Sequence, residues 1–310
     1  MSTPGPPRLV IAVDVGGTAI KAARCSVTAA DVQVLAEHSL ATPVGSGVPA
    51  VLAAITETIG SLREGPVGGV GVIMPGAVDA ENGIARYSAN LGWRNLPIRA
   101  QLAQRAGLPV AIDHDVRAAA RAELALGAAR GHSHALFVSI GTGIAAASII
   151  EGTVTVGARQ LAGELGHVPV FPDGARCACG QRGCTETYAS AAAIARRYAH
   201  ASGRPATAQD VLARAAAGEP AAHEVFQQAV TALARSLVFA TLLTDPGLIV
   251  LGGGLSLAGA ALLDPVRQQL TDALAWRPPP ELTSARFGAK AGQVGAALLG
   301  ARAAGLASQA

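Results

Sequence analysis

The chain has 310 residues, half of them hydrophobic, and a formal net charge of only +3. A chain of this size can bury a large core and is expected to form two lobes. The weak, dispersed charge, without a run of lysine or arginine, argues against nucleic-acid binding. We find no apolar stretch of about 18 residues free of charges or breakers, and the Pro-rich start lacks the apolar core of a signal peptide. We therefore expect a cytoplasmic protein without a membrane span.

Predicted strands and helices alternate along the chain, beginning with strands at 8–14, 19–27 and 32–39. Next come a helix near 48–63, a strand at 67–73, a helix near 97–107 and a strand at 109–113. The second half is predicted to contain helices over 116–130 and 188–243, strands near 134–140, 144–150 and 247–251, and a closing helix after Gly288. This alternation favours an α/β fold, and we place the boundary between the lobes near residue 115.

A glycine turn joins the first two predicted strands; we call residues 14–18 the first glycine turn. Asp14 ends the strand, Gly16 and Gly17 let the backbone turn tightly, and Thr18 adds a hydroxyl donor. Exposed amides and a carboxylate suit a polyphosphate that carries a metal ion. An ordinary hairpin turn is the alternative. The segment matches neither the dinucleotide-binding pattern nor the Walker pattern.

Two further glycine segments favour nucleotide binding. The second glycine turn, residues 139–143, contains Gly141, Thr142 and Gly143 and lies between two apolar strands. The glycine triad, Gly252, Gly253 and Gly254, follows a predicted strand and is expected to open a helix, whose N-terminus favours negative charge. Taken singly, a plain hairpin and a plain strand–helix joint explain these segments equally well.

One histidine and three cysteines have the spacing of a tetrahedral zinc site in an irregular segment. We call residues 163–186 the cysteine loop. Three thiolates and an imidazole suit zinc, and with no open position the ion would be structural. Ordinary thiols are the alternative. A fourth cysteine, Cys25, lies in a predicted strand and is expected to be a small core residue. The predicted ligands are His167, Cys177, Cys179 and Cys184.

Two carboxylates flank these ligands: Glu164 precedes His167 by three residues, and Glu186 follows Cys184 by two. Held in place by the metal site, such carboxylates could accept hydrogen bonds from vicinal hydroxyl groups of a ligand. Glutamates on the surface without a role are the common alternative.

A buried strand is predicted to end at Asp113, and an Ala-rich helix to follow Asp115. Asp115 is therefore a candidate N-cap, and equally a candidate general base for a hydroxyl nucleophile. Asn90, in a predicted turn, is a further polar candidate.

These motifs occur in the order found in the ROK family of sugar kinases, which the chain resembles over essentially its whole length. The resemblance rests on the three glycine segments, the sequences Met-Pro-Gly at 74–76 and Ser-Ala-Asn-Leu-Gly-Trp at 88–93, the Asp115 segment, and the cysteine loop. The family belongs to the actin-like ATPases. The resemblance implies two ribonuclease H-like lobes with a cleft between them, one formed by 1–115 with the closing helix, about 290–310, and the other by 116–289.

The resemblance also implies a function, ATP-dependent phosphorylation of a hexose 6-hydroxyl with Asp115 as general base. ATP, Mg²⁺ and a structural Zn²⁺ are the expected cofactors, and a homodimer or homotetramer is the expected assembly. The sugar would be bound by Gly76, Asn90, His114, Asp115, Glu164, His167 and Glu186. Nucleotide and Mg²⁺ would be bound by Asp14, Gly16, Gly17, Thr18, Lys21, Gly141, Thr142, Gly143, Gly252, Gly253 and Gly254.

The chain departs from the family pattern at the general base. The family usually has Glu-Asn-Asp-Ala-Asn where residues 113–117 read Asp-His-Asp-Val-Arg. An asparagine offers both a donor and an acceptor to a sugar, whereas neutral His114 offers one of each in a bulkier ring. A milder departure is Ala89, where the family typically has proline. His114 leads to the hypothesis of an amino or N-acetylamino hexose as substrate.

Two other functions are compatible with the family. A transcriptional repressor would need a helix-turn-helix module, for which about eight residues before the first strand are too few. A sugar-binding sensor without activity is the second, although the acidic residues and the metal ligands expected of a kinase are present. Polyphosphate is an alternative phosphoryl donor, but relatives that use it tend to lack the cysteine signature.

Overall fold

The computed structural model describes residues 7–305. Residues 1–6 of the predicted Pro-rich start and 306–310 of the predicted closing segment therefore lie outside the described residues. The chain divides into two compact units. Unit 1 comprises the described parts of Met1–Leu126, Val156–Leu161 and Lys290–Ala310, and unit 2 comprises Gly127–Thr155 and Ala162–Ala289. The boundary predicted near 115 falls inside unit 1, at a direct strand-to-helix junction.

Unit 1 is built on a five-stranded mixed sheet with the order β3-β2-β1-β4-β8. A small three-stranded sheet, β5-β6-β7, is formed by the segment of chain between β4 and α2. Its elements up to residue 126 are β1 (Arg8–Val15), β2 (Ala19–Val27), β3 (Val32–Ala41), α1 (Val48–Ser61), β4 (Gly69–Met74), β5 (Ala77–Asp79), β6 (Ile84–Ser88), β7 (Trp93–Leu96), α2 (Ile98–Ala106), β8 (Val110–His114) and α3 (Asp115–Leu126).

Alternating side chains of β1 serve two separate cores. Ile11 and Val13 belong to the cluster that contains residues of α1 and α2, whereas Val10 and Ala12 pack with the closing helix of the chain. A strand covered on both faces reads as a continuous apolar run, which is why the sequence predicted it.

Unit 2 has a second five-stranded mixed sheet, with the order β11-β10-β9-β12-β13. Its elements are β9 (Ala135–Ile140), β10 (Ile144–Ile150), β11 (Thr153–Val154), α4 (Glu186–Ala189), α5 (Ala191–Ser202), α6 (Ala208–Ala216), α7 (Pro220–Thr244), β12 (Leu248–Gly252), α8 (Ala260–Ala273) and β13 (Glu281–Ser284). The cysteine loop is irregular, as predicted, with one 3₁₀ turn at Leu165–His167.

The closing helix α9 (Ala291–Ala303) belongs to unit 1. It packs on β4 backbone to backbone: a Cβ atom added at Gly71 would lie 1.9 Å from the carbonyl oxygen of Ala296. Only a residue without a side chain allows this approach. The contact fixes the chain's last helix against the strand that leads to the predicted site.

Among residues 7–305, α7 is long and apolar enough to cross a membrane by length and composition alone. Its most apolar window is 56% buried within the fold. A core helix of a globular domain meets the same criterion, so α7 is weak evidence for a membrane protein.

Candidate active site

The predicted residues of unit 1 gather where three neighbouring strands end. In the sheet register Asp14 of β1 lies beside Ile73 of β4, and Ile73 lies beside Asp113 of β8. Parallel strands end at one edge, so the first glycine turn and the β8–α3 corner lie at the same edge of the sheet, with the end of β4 between them. Lys21 pairs with Asp14 across the β1–β2 ladder.

The pKa of Asp14 lies well above the usual range of a carboxyl group. Burial, followed by the charge of Asp115, raises its pKa to about 6, and Lys21 partly opposes the shift. Two carboxylates held close together favour the protonated state of one of them, and a bound cation would favour the charged state of both. Asp14 is therefore suited to give up a proton when a metal ion arrives.

A threonine that the sequence analysis missed holds the first glycine turn. The Thr42 hydroxyl donates to the carbonyl oxygen of Gly16 at 2.7 Å, and its amide donates to the carbonyl of Thr18 at 3.0 Å. A Cβ atom added at Gly17 would lie 3.6 Å from the Cβ of Asn90, so the turn and Asn90 are neighbours. The signal for Thr42 was a lone polar residue after an edge strand, which sequence alone does not distinguish from a solvated one.

Gly76 has a structural reason to be glycine. It adopts φ +100°, and an added Cβ would lie 2.2 Å from the carbonyl oxygen of Tyr87. The residue turns the chain from β4 into β5 while packing directly on β6. Gly76 and Asn90 therefore lie in turns that border the small sheet, Gly76 directly before β5 and Asn90 between β6 and β7. The sequence did not predict this sheet because its strands have only three to five residues.

Asp115 is the first residue of α3, and one of its carboxylate oxygens is fixed. Its Oδ1 accepts a hydrogen bond from the Val116 amide at 2.7 Å and lies 3.2 Å from Nδ1 of His114. The Asp115 side chain is 37% exposed, whereas His114 is 14% exposed. Asp115 is thus oriented by its surroundings and still reachable by a substrate, as a general base must be.

In unit 2, the four predicted ligands lie together. Their donor atoms are all within 4.8 Å of one another. The Sγ atoms of Cys179 and Cys184 are 3.6 Å apart, and Sγ of Cys177 is 3.8 Å from Nδ1 of His167. Ligands around a tetrahedral zinc ion are about 3.5–3.8 Å apart, so the donor set and its spacing fit zinc.

The pKa values of two thiols in the cluster shift in opposite directions: hydrogen bonds, first that from the backbone of Gln181, lower the pKa of Cys179, whereas that of Cys184 is raised. Burial, together with neighbouring thiols, raises the pKa of Cys184 to about 12. A thiolate at this position therefore requires a positive partner, which a metal ion supplies. Cys25 lies apart from this cluster, fully buried in β2 as predicted, and burial raises its pKa to about 12.

Both predicted carboxylates face the imidazole of His167. Oε2 of Glu164 is 3.8 Å from Nε2, and Oε1 of Glu186 is 3.6 Å from Nδ1. Glu186 also lies against the second glycine turn, since a Cβ atom added at Gly143 would be 3.2 Å from its Oε2. The cysteine loop and this turn are therefore neighbours within unit 2.

Glycines hold the start of the cysteine loop against β10. A Cβ atom at Gly163 would lie 1.9 Å from the carbonyl oxygen of Ala146, and one at Gly166 would lie 2.2 Å from that of Ile144. The Ala146 amide donates to the Gly163 carbonyl at 2.7 Å. Glu164 is consequently set at a fixed distance from the strand that leaves the second glycine turn.

The glycine triad meets the second glycine turn. Gly253 adopts φ +79°, and an added Cβ would lie 2.5 Å from the carbonyl oxygen of Ile140. The triad opens a helix as predicted, but a short one: Gly254–Ala258 form a 3₁₀ helix, and the α-helix α8 begins only at Ala260. Gly259, at φ +55°, separates the two because an α-helix does not continue through a left-handed residue.

Known proteins resemble the chain over nearly all its length. A family model described as the ROK family matches residues 10–303. The glucokinase of Thermotoga maritima is 35% identical over 279 residues, which are 85% of this chain and 87% of that protein. The N-acetylgalactosamine kinase AgaK of Shewanella sp. strain ANA-3 is 33% identical over 302 residues, which are 93% of this chain and 95% of that protein.

A solved structure gives the same result. The ROK family glucokinase from Streptomyces griseus, in complex with glucose and AMPPNP, is 32% identical to this chain. The comparison has a TM-score of 0.82 and covers 95% of this chain and 99% of that one. The predicted α/β fold of the actin-like ATPases is thereby confirmed. On the family match and these relatives, the chain belongs to the ROK family.

Proposed function

We propose that this protein is a hexose kinase that transfers the γ-phosphoryl group of ATP to the 6-hydroxyl of its sugar. The observation that carries the proposal is Asp115, one oxygen of which accepts a hydrogen bond from the Val116 amide and lies 3.2 Å from Nδ1 of His114, while the side chain stays accessible. Support comes from its setting, in a ROK chain similar to glucokinases over most of its length.

Asp115 takes the proton of the sugar hydroxyl as that oxygen attacks the γ-phosphorus. Phosphoryl transfer needs an oriented nucleophile and neutralised phosphate charge rather than covalent work by the protein. Asp14 would hold Mg²⁺, which neutralises charge on the β- and γ-phosphates when bound. The first glycine turn, with Lys21, the second glycine turn and the glycine triad supply the phosphate and nucleotide contacts.

Hydrogen bonds to the sugar are proposed for residues of each unit. Unit 1 supplies Gly76, Asn90 and His114, and unit 2 supplies Glu164, His167 and Glu186. We assign a structural Zn²⁺ to His167, Cys177, Cys179 and Cys184, on the donor set and spacing described above. The ion would stiffen the cysteine loop, which has little apolar content of its own.

An amino or N-acetylamino hexose is the alternative substrate. Two observations favour it: His114 stands where the family usually has asparagine, and the kinase AgaK is as similar to this chain as several glucokinases. A sensor without catalytic activity is the less favoured alternative, since the acidic residues expected of a kinase are in place.

Purified protein assayed with ATP against a sugar panel tests the proposal. The panel contains glucose, glucosamine, kanosamine, N-acetylglucosamine and N-acetylmannosamine, with polyphosphate as a second donor. We expect ATP-dependent phosphorylation of at least one sugar, and a clear preference for glucose would refute the amino-sugar alternative. Sugar binding without turnover of any panel member would contradict kinase activity and favour the sensor.

We further expect a cytoplasmic homo-oligomer, a dimer or a tetramer. Light scattering on the purified protein measures the number of subunits, and a monomer at micromolar concentration would refute this expectation.

A further inference from the structure

A buried arginine lies beneath the β8–α3 corner. Arg117 is among the largest fully buried side chains in the described chain, at 2% exposure. Its Nε donates to Oδ1 of Asp113 at 2.9 Å, and Asp113 is equally buried. Charged groups buried to this extent are uncommon and need several partners. The proposed kinase mechanism above uses neither of these two residues.

The guanidinium of Arg117 also donates hydrogen bonds to two other parts of the chain. One terminal nitrogen donates to the carbonyl oxygen of Val78, in β5, at 2.6 Å. The other donates to the carbonyl oxygen of Gln160 at 3.3 Å. Gln160 adopts φ +63° and belongs to Val156–Leu161, a short segment that is part of unit 1.

Each of these three acceptor residues is close in sequence to a residue of the proposed site. Asp113 precedes Asp115 by two residues, Val78 follows Gly76 by two, and Gln160 precedes Glu164 by four. A guanidinium is planar, with its N–H groups in a fixed fork, so its three contacts cannot move independently. Asparagine, the usual family residue here, has one short amide and cannot span three acceptors.

We propose that Arg117 is a positioning residue for phosphoryl transfer. It sets the β8–α3 corner that carries Asp115 and orders the segment that leads into Glu164. The proposal rests on the proposed function for its effect on turnover, whereas the ordering of 156–161 stands apart from it.

Arg121 provides a matched control on the same helix. Its Nε faces the other oxygen of Asp113 at 3.2 Å, and its side chain is 29% exposed. The hydrogen bonds described for Arg121 include neither Val78 nor Gln160. Arg121→Lys therefore perturbs the same carboxylate without disturbing the other two contacts.

The experiment compares Arg117→Lys with Arg121→Lys in three measurements: thermal unfolding, steady-state kinetics and amide hydrogen exchange. Lysine keeps the positive charge but lacks the planar arrangement of several N–H donors.

We expect Arg117→Lys to lower kcat at least about tenfold and to raise the sugar KM, because small displacements of reacting groups lower the rate strongly. The KM for ATP should stay within about twofold, a selectivity that general destabilisation would not produce. Exchange in peptides covering 156–163 should rise in Arg117→Lys alone, and Arg121→Lys should match wild type.

A second variant covers failure of Arg117→Lys to fold. Asp113→Asn combined with Arg117→Met removes both partners of the buried ion pair, which proteins tolerate better than removal of one. It should fold and show the same loss of kcat and of exchange protection.

Equal kinetics and equal exchange in the Arg117 and Arg121 variants would overturn the proposal. If the wild type phosphorylates no sugar, the proposed function fails and with it the effect on turnover. Exchange of 156–163 then decides by itself whether Arg117 orders that segment.

Discussion

Asp115 combines a fixed oxygen with an accessible carboxylate, so its removal should affect chemistry more than binding. We expect Asp115→Ala to lower kcat at least about 10²-fold, the usual effect of losing a general base, while sugar binding is retained. Calorimetry gives the sugar affinity and a coupled assay gives kcat. Asp264→Ala, on the exposed face of α8, is the control and should behave like wild type. Near-normal turnover of the Asp115 variant would remove this residue from its role.

Asp14 makes stability depend on pH in a predictable direction. Its pKa is about 6 in the folded chain and 3.8 in the reference state, so the folded state binds the proton more tightly. The contribution of Asp14 to stability is therefore present at low pH and lost as pH rises through 6. Above that pH, Asp14→Asn should be more stable than wild type, by at most about 3 kcal/mol.

Urea unfolding at pH 5 and pH 8, without nucleotide or divalent cation, measures this difference. The stabilisation by Asp14→Asn should reach its full value at pH 8 and about half of that value at pH 5, because it develops over the interval between the two pKa values. A stability difference between the variant and the wild type that does not change with pH would show that the pKa of Asp14 is not raised in the folded chain.

We expect the cysteine loop to depend on its proposed zinc ligands for order. We expect Cys179→Ser to lose zinc, to disorder residues 163–186 and to weaken sugar binding, because Glu164 and Glu186 flank the ligands. Metal analysis, hydrogen exchange and calorimetry read the three effects. Cys25→Ser removes a thiol outside the cluster and should keep the full metal content. A metal-replete, fully active Cys179 variant would contradict the assignment.

The glycine triad contains a second matched pair. Gly253 has positive φ, and its Cβ would meet the backbone of Ile140, whereas a Cβ on Gly254 would meet nothing within 4 Å. Gly253→Ala should therefore lower the free energy of unfolding by roughly 1–3 kcal/mol, and Gly254→Ala by less than about 1 kcal/mol. Equal values from urea unfolding would show that the triad does not pack on the second glycine turn in solution.

The sequence predicted elements whose pattern is local. The long strands around the first and second glycine turns read as apolar runs, and the Cys/His spacing read as a metal site. It did not predict β5, β6 and β7, whose short strands show no clear alternation, nor the 3₁₀ form of the short helix that the triad opens. Arg117 was missed as well, because a lone arginine on an Ala-rich helix reads as a solvated residue. Its partners come from distant parts of the chain, and only the fold brings them together.

The chain passes between the two units more than once. Val156–Leu161 and helix α9 both belong to unit 1, although each follows a segment of unit 2 in the sequence. The predicted lobes, 1–115 with the closing helix and 116–289, stay a prediction as independent domains, as does the homo-oligomer. Separate expression of the units is therefore not a sound test of function, and the intact chain is the proper material.

Identification of the reaction product tests the proposed 6-hydroxyl kinase activity most directly. Purified protein, ATP, Mg²⁺ and the best sugar of the panel are incubated, and the product is examined by phosphorus–proton correlation NMR. We predict a single sugar phosphate whose phosphorus couples to the protons on carbon 6, absent with Asp115→Ala. Hydrolysis of ATP without any sugar phosphate, or a phosphate on another hydroxyl, would contradict a 6-hydroxyl kinase with Asp115 as its base.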